Sequence, residues 1–277
     1  MPVLGLQTDP VVVLLRCPRC AGASASHMPT AAFLREFYRD YRRGREMGVT
    51  FGAPDRFGRR LAAALAPHLP RGDLRVLDFG GGDGTLAVAT VRALQRRGIA
   101  DRAEIVVVDL EPPLDHPPGA VPLTWRPTIT EALGPFSLVM ANAVLEHVPD
   151  LGDTVRQLFE RMRPGGFLYA RTSYVAPLAR WWPRVDFGFP AHVHDLGHEF
   201  WARARKVFGL SATCLVSRPS PVAFRWRREP LRATAAYVLK LPGRVEARWS
   251  APERERRWWT WVAGWEVLYR SGETPPS

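Results

Sequence analysis

The chain has 277 residues, a formal net charge of +11, three cysteines and seven histidines, enough for one sizeable domain with additions. No apolar run approaches the ~20 residues of a membrane span, Val11–Leu15 is too short for a signal-peptide core and follows Asp9, and three cysteines make no disulfide framework; the expectation is a cytoplasmic protein. Of the basic residues only Lys206 and Lys240 are lysines, and the charge sits in the flanks: residues 61–200 carry 13 basic and 16 acidic side chains, residues 201–277 carry 15 and 6. Solvated arginines or a surface for an anionic substrate both account for it. With no recognised RNA-binding module, no nucleic-acid partner is expected.

In chain order, Cys17-Pro18-Arg19-Cys20 comes first, in a loop. A helix follows from Thr30 to about Arg45, with Phe33, Leu34, Phe37, Tyr38 and Tyr41 at helical spacing. A second helix covers Leu61–Leu65. The apolar strand Arg75–Phe79 carries Asp78 near its end and runs into glycines 80, 82 and 84, then a helix from Leu86 to Arg96. Glycines here allow a tight turn and bring bare main chain to a ligand. The amides of such a loop and helix start favour polar or anionic groups. The strand Glu104–Leu110 holds Asp109 near its end, where an acid accepts hydrogen bonds from ribose hydroxyls in doubly wound folds. Val121–Trp125 reads as a strand, Phe136–Asn142 as another, followed by Val144-Leu145-Glu146-His147-Val148-Pro149-Asp150. Arg161–Ala170 reads as helix end, Pro-Gly-Gly turn and strand. An irregular stretch, 174–195, precedes a helix over Glu199–Phe208 and two strands, Ser211–Val216 and Val222–Arg227. Two helical segments separated by Pro242-Gly243 end the chain.

The dinucleotide pattern Gly-x-Gly-x-x-Gly fails at Thr85. What fits is Asp78-x-Gly80-x-Gly82-x-Gly84. With Asp109, the Leu145–Asp150 segment and the Pro164-Gly165-Gly166 turn in that order, residues 75–175 resemble the class I S-adenosylmethionine-dependent methyltransferases. The resemblance implies an α/β fold: a doubly wound, seven-stranded, mostly parallel sheet whose last strand is antiparallel, with N- and C-terminal helical additions. The expected division is 1–60, an N-terminal segment; 61–228, the catalytic domain; and 229–277, a helical extension. The resemblance also implies S-adenosylmethionine as cofactor, held by Asp78, Gly80, Gly82, Gly84, Asp109, Leu110 beside the adenine and Asn142 near the methyl group. Asp83 reads as facing solvent or capping the helix. No acid stands at the end of the third strand, where many relatives contact the adenine; Thr128 or a backbone group takes its place.

Three histidines are candidate bases. His147 reads as a base or as a residue that orients its loop. His192 and His194, in Phe189–His198, lie where this family builds its substrate lid. They suit proton removal from a hydroxyl, because imidazole titrates near neutrality. Metal binding and ordinary helix-entry histidines, with Asp195 as cap, are the other readings. No metal is expected: Ala143 stands where quinone-biosynthesis relatives carry a metal-binding acid. Cys17 and Cys20 resemble half of a zinc ribbon without its second pair. Trp249, Trp258, Trp259, Trp261 and Trp265 read as packing or pocket residues, with membrane-surface contact as the alternative. The expected reaction is O-methylation of a small molecule, anionic or bulky and apolar. N- or C-methylation, or a cyclase-like protein that keeps the cofactor pocket, are the alternatives.

Overall fold

The computed structural model describes residues 12–30, 32–34, 36–38, 53–112, 121–181, 187–222, 229–254 and 264–272. It opens on a hairpin, β1 (Leu14–Arg16) and β2 (Ala23–Ala25). Then follow α1 (Pro54–Leu65), β3 (Gly72–Phe79), α2 (Thr85–Gln95), β4 (Ala100–Val108), β5 (Leu123–Arg126) and β6 (Phe136–Asn142). The second half holds α3 (Leu151–Glu160), β7 (Met162–Thr172), α4 (Ala176–Trp181), β8 (His194–Asp195), α5 (His198–Val207), β9 (Ala212–Pro219), α6 (Pro230–Trp249) and β10 (Trp265–Ser271).

Seven strands make one sheet in the order β5-β4-β3-β6-β7-β10-β9. Strands β3 to β7 pair in parallel, and β10 runs antiparallel to both β7 and β9. A parallel strand covered on both faces reads as a continuous apolar run, and β6 is buried from Phe136 to Ala141. On one face Leu61, Leu65, Val88 and Val91 of α1 and α2 join Val76, Val107 and Met140. On the other, Val155, Leu158, Phe200 and Trp201 of α3 and α5 join Leu77, Val139, Leu168 and Val267. The order turns outward on either side of β3, so a crevice opens at the carboxyl ends of β3 and β6, where doubly wound sheets bind ligands. The hairpin forms a separate small sheet with β8, Ser24 opposite His194.

Two elements differ from expectation. The strand that completes the sheet is β10, not Val222–Arg227. Val222 is buried but irregular, and residues 223–228 lie outside the described ones. The sheet therefore draws a strand from beyond residue 228. β10 hid from pattern reading because, between two strands, it is buried from Trp265 to Tyr269 without alternation. Its internal acid, Glu266, is neutralised in place: its carboxylate accepts from Arg60 at 3.0 and 3.1 Å, Arg218 at 2.6 Å and the Tyr169 hydroxyl at 3.2 Å. Pro242 does not divide the tail helix. One helix, α6, runs through it, and its packed face of Ala233, Lys240 and Gly243 offsets the single lost hydrogen bond. Of the helix expected over 30–45, helical turns appear at residues 32–34 and 36–38, and residues 39–45 lie outside the described ones. Trp265 is fully buried, Trp249 is exposed, and Trp258, Trp259 and Trp261 lie outside the described residues.

Candidate active site

The glycine loop leaves β3 with Gly80, Gly82 and Gly84 all at positive φ, a conformation that costs glycine nothing. At Gly80 a side chain would also collide, since a Cβ there falls 2.2 Å from Val144 Cγ2. Gly84 is the cap residue of α2, with no side-chain cap, and the Asp83 carboxylate before it accepts from Thr85 N–H at 2.9 Å. Asp109, just past β4, accepts from Gly82 N–H at 2.8 Å and from Leu110 N–H at 2.7 Å. The two strand ends are thus tied by the acid expected to meet the ribose. Leu110 is exposed beside it. Thr128 bonds to Thr130 and Glu131 in a short helical turn.

Asp78 lies beneath this loop, 2 % exposed, with Oδ2 lacking a hydrogen-bond partner. A Cβ on Gly81 would sit 2.4 Å from that oxygen. Burial, then the charges of Asp109 and Asp83, push its carboxyl up to about 8. Three carboxylates gather here, a field that favours a cation.

Beyond β6 the chain turns sharply at Asn142 and Ala143. Ala143 has φ +56°, strained for a residue with a Cβ. The strain falls three residues before the Glu146-His147 pair. The segment 187–195 crosses over them. His147 Nδ1–H donates to Ala191 C=O at 2.7 Å and His192 Nδ1–H donates to Phe187 C=O at 3.0 Å. A carbonyl only accepts, so both rings carry a proton on Nδ1. The two ring centroids are 4.8 Å apart. Burial holds His147 below the usual imidazole value, so it is neutral near pH 7. Tyr38 packs edge-on against His147 and donates to the same Ala191 carbonyl. Glu146 is buried; Oε1 accepts from Ser173 N–H at 3.1 Å, Oε2 has no hydrogen-bond partner, and burial pushes the carboxyl up.

His194 departs from the expected base. Its Nε2–H donates to Val148 C=O at 2.9 Å and its Nδ1 accepts from Ser24 at 2.8 Å. With both ring nitrogens used, it fastens the hairpin to the lid. Asp195 caps α4 rather than the helix after it, accepting from the N–H groups of Val175 and Ala176. Against the expectation of no metal, Glu146, His147 and His192 place one ligand atom each within 4.8 Å of the others. His192 joins from the lid, where Ala143 offers nothing. The HxH pattern pointed to this segment, but which histidine would meet Glu146 depended on how the lid crosses the site. Cys17 and Cys20 are free thiols.

A family model described as a methyltransferase domain matches residues 50–214, more than half the chain. The chain belongs to this family. It is a class I S-adenosylmethionine-dependent methyltransferase. Over 210 residues, 69 % of this methyltransferase and 80 % of the relative, it is 28 % identical to a ubiquinone biosynthesis O-methyltransferase of Mesorhizobium japonicum. A protein so named from Caulobacter vibrioides is 35 % identical over 54 residues, about a fifth of either chain. Similar solved structures include an S-adenosylmethionine-dependent methyltransferase of Mesorhizobium loti, with TM-score 0.46 and 16 % identity over 75 % of this chain and 96 % of that one. Another is the plantazolicin methyltransferase BpumL in complex with SAH, with TM-score 0.48 and 9 % identity over 86 % and 90 %. The residues of the cradle fit S-adenosylmethionine. The loop cannot take a Cβ at Gly80, the Asp109 carboxylate stands just past the end of β4 against the loop's Gly82 amide, and the orphaned Asp78 oxygen lies in a field that suits a cationic ligand.

Proposed function

We propose that this methyltransferase methylates a hydroxyl oxygen of a small molecule. The observation that carries the reading is the His147–His192 pair, two imidazoles anchored through Nδ1–H on carbonyls with their ring centroids 4.8 Å apart, just after β6. S-adenosylmethionine, when bound, supplies an electrophilic methyl group on a sulfonium. Asp78, the glycine loop through Gly84, Asp109, Leu110 and Asn142 bind and orient it. His147 or His192 takes the hydroxyl proton as the oxygen attacks. Positioning contributes the rest. Similarity to the Mesorhizobium O-methyltransferase supports oxygen as the acceptor. We take residues 61–228 with β10 as the catalytic unit, residues 1–60 and α6 as additions that shape the acceptor side, and the cytoplasm as its place.

The test is methyl transfer from labelled S-adenosylmethionine to a panel of phenols, hydroxylated quinone precursors and hydroxy acids. His147→Ala or His192→Ala lowers turnover by about 10²–10⁴, with recovery at high pH, where the hydroxyl ionises unaided. His194→Ala, the control, reduces stability more than turnover. Cofactor binding without transfer to any hydroxyl, or transfer to nitrogen or carbon, overturns the reading.

A second reading is a divalent cation on Glu146, His147 and His192. The buried Glu146 Oε2 without a hydrogen-bond partner favours it, as do two histidines whose Nδ1–H groups are already anchored on carbonyls. One carboxylate and two imidazoles leave an open position for the acceptor oxygen. Turnover abolished by a chelator and restored by zinc or another divalent ion selects this reading; turnover indifferent to chelator selects the histidine base.

A further inference from the structure

Helix α6 is polarised the wrong way round for a surface helix. Its packed face is Ala233, Lys240 and Gly243. The Lys240 ammonium points inward and donates to Ser220 C=O at 3.0 Å, Ser220 Oγ at 3.1 Å and Pro221 C=O at 3.2 Å. Its outward face is apolar: Leu231, Val238, Leu241, Val245 and Trp249 recur every three, four or seven residues, which sets them on one stripe. Leu231 is 85 % exposed, Val238 58 %, Val245 52 % and Trp249 82 %. Most of the large exposed apolar side chains among the described residues lie on this helix. A helix of 20 residues presents the stripe over about 30 Å. No ionisable residue interrupts it; Arg248, exposed, borders it, while Arg232 pairs with Glu229 and Arg244 reaches inward to Ser220 C=O. Among the described residues no helix is long and apolar enough to cross a membrane.

We infer that α6 docks this protein in the plane of an anionic membrane surface, its apolar stripe among the acyl chains and Arg248 at the headgroups. An apolar face bordered by arginine with tryptophan at its end is the pattern of an interfacial helix. Residues 201–277 hold 15 basic and 6 acidic side chains, so the surrounding field attracts the same surface.

The experiment is flotation of the full chain with vesicles of phosphatidylcholine, alone or mixed with phosphatidylglycerol. The protein floats with the mixed vesicles at least about tenfold more than with neutral ones, and high salt weakens this. Val238→Glu with Val245→Glu abolishes flotation, and Arg248→Glu weakens it. These positions are exposed and lie outside the cofactor cradle, so circular dichroism and S-adenosylhomocysteine affinity are unchanged. No flotation of the wild type with phosphatidylglycerol vesicles, or equal flotation of the double variant, overturns the proposal. So does a lipid-free dimer that the double variant dissolves, which assigns the stripe to a second copy.

Discussion

Replacing Asp78 by Asn separates the cofactor's demands from those of stability. The wild-type carboxyl lies at about 8 in the fold, against 3.8 for an ordinary aspartate. Between those values the folded protein holds a proton that the unfolded chain has released, so stability falls as pH rises, by about 1.4 kcal/mol per pH unit. From pH 5 to pH 7 the loss from this residue is about 2.7 kcal/mol, and at pH 7 it totals about 4 kcal/mol. Asn removes that slope. Since a buried amide without partners costs about 1–3 kcal/mol itself, the expected net gain at pH 7 is about 1–3 kcal/mol. Urea unfolding of both proteins from pH 5 to 8 reads the difference in slope directly and cancels every other titrating group. Binding moves the opposite way. A cationic ligand draws Asp78 into its ionised form, so wild-type affinity rises toward pH 8 with proton release, while the variant binds weakly and without that pH dependence. Parallel stability curves, or an Asn variant that binds S-adenosylmethionine as the wild type does, refute the reasoning.

Gly80→Ala forces a side chain into a positive-φ position with Val144 Cγ2 at 2.2 Å and Val144 Cβ at 2.6 Å. Strain and overpacking together destabilise by about 2–4 kcal/mol in denaturant unfolding, and adding Val144→Ala restores only part, because the Cβ contact remains. Glu266→Gln removes the charge beneath Arg60 and Arg218. Burial alone would raise the Glu266 carboxyl, but the two arginines outweigh it and hold it below the usual range. Its contribution is therefore present above the ordinary glutamate value and fades in acid. The variant loses about 3 kcal/mol at pH 7 and unfolds less steeply than the wild type as pH falls below 4.

The shape of the glycine loop and its tie to Asp109 were legible because they are local. Asp78 to Gly84 is one strand-to-helix turn, and Asp109 ends the neighbouring strand, so spacing along the chain carries the geometry. The acceptor half of the site was not. His147 and His192 are 45 positions apart, and their meeting depends on a strained turn at Ala143 and on carbonyls at Phe187 and Ala191 that no side-chain pattern records. His194 looked equal to His192, yet the hairpin's Ser24, far off in the chain, takes up its second nitrogen. β10 was missed for a related reason. A strand in mid-sheet shows no alternation, and the arginines that let Glu266 sit there come from α1 and β9.

The central claim is that the Asp78–Gly84 loop and Asp109 together hold S-adenosylmethionine. Calorimetric titration of S-adenosylhomocysteine into wild type and Asp109→Ala tests it most directly. The lost hydrogen bonds to a charged acceptor are each worth about 1.5–3 kcal/mol, so the variant should bind about tenfold or more weakly while remaining folded. Wild-type affinity retained in a folded Asp109→Ala protein would contradict the account.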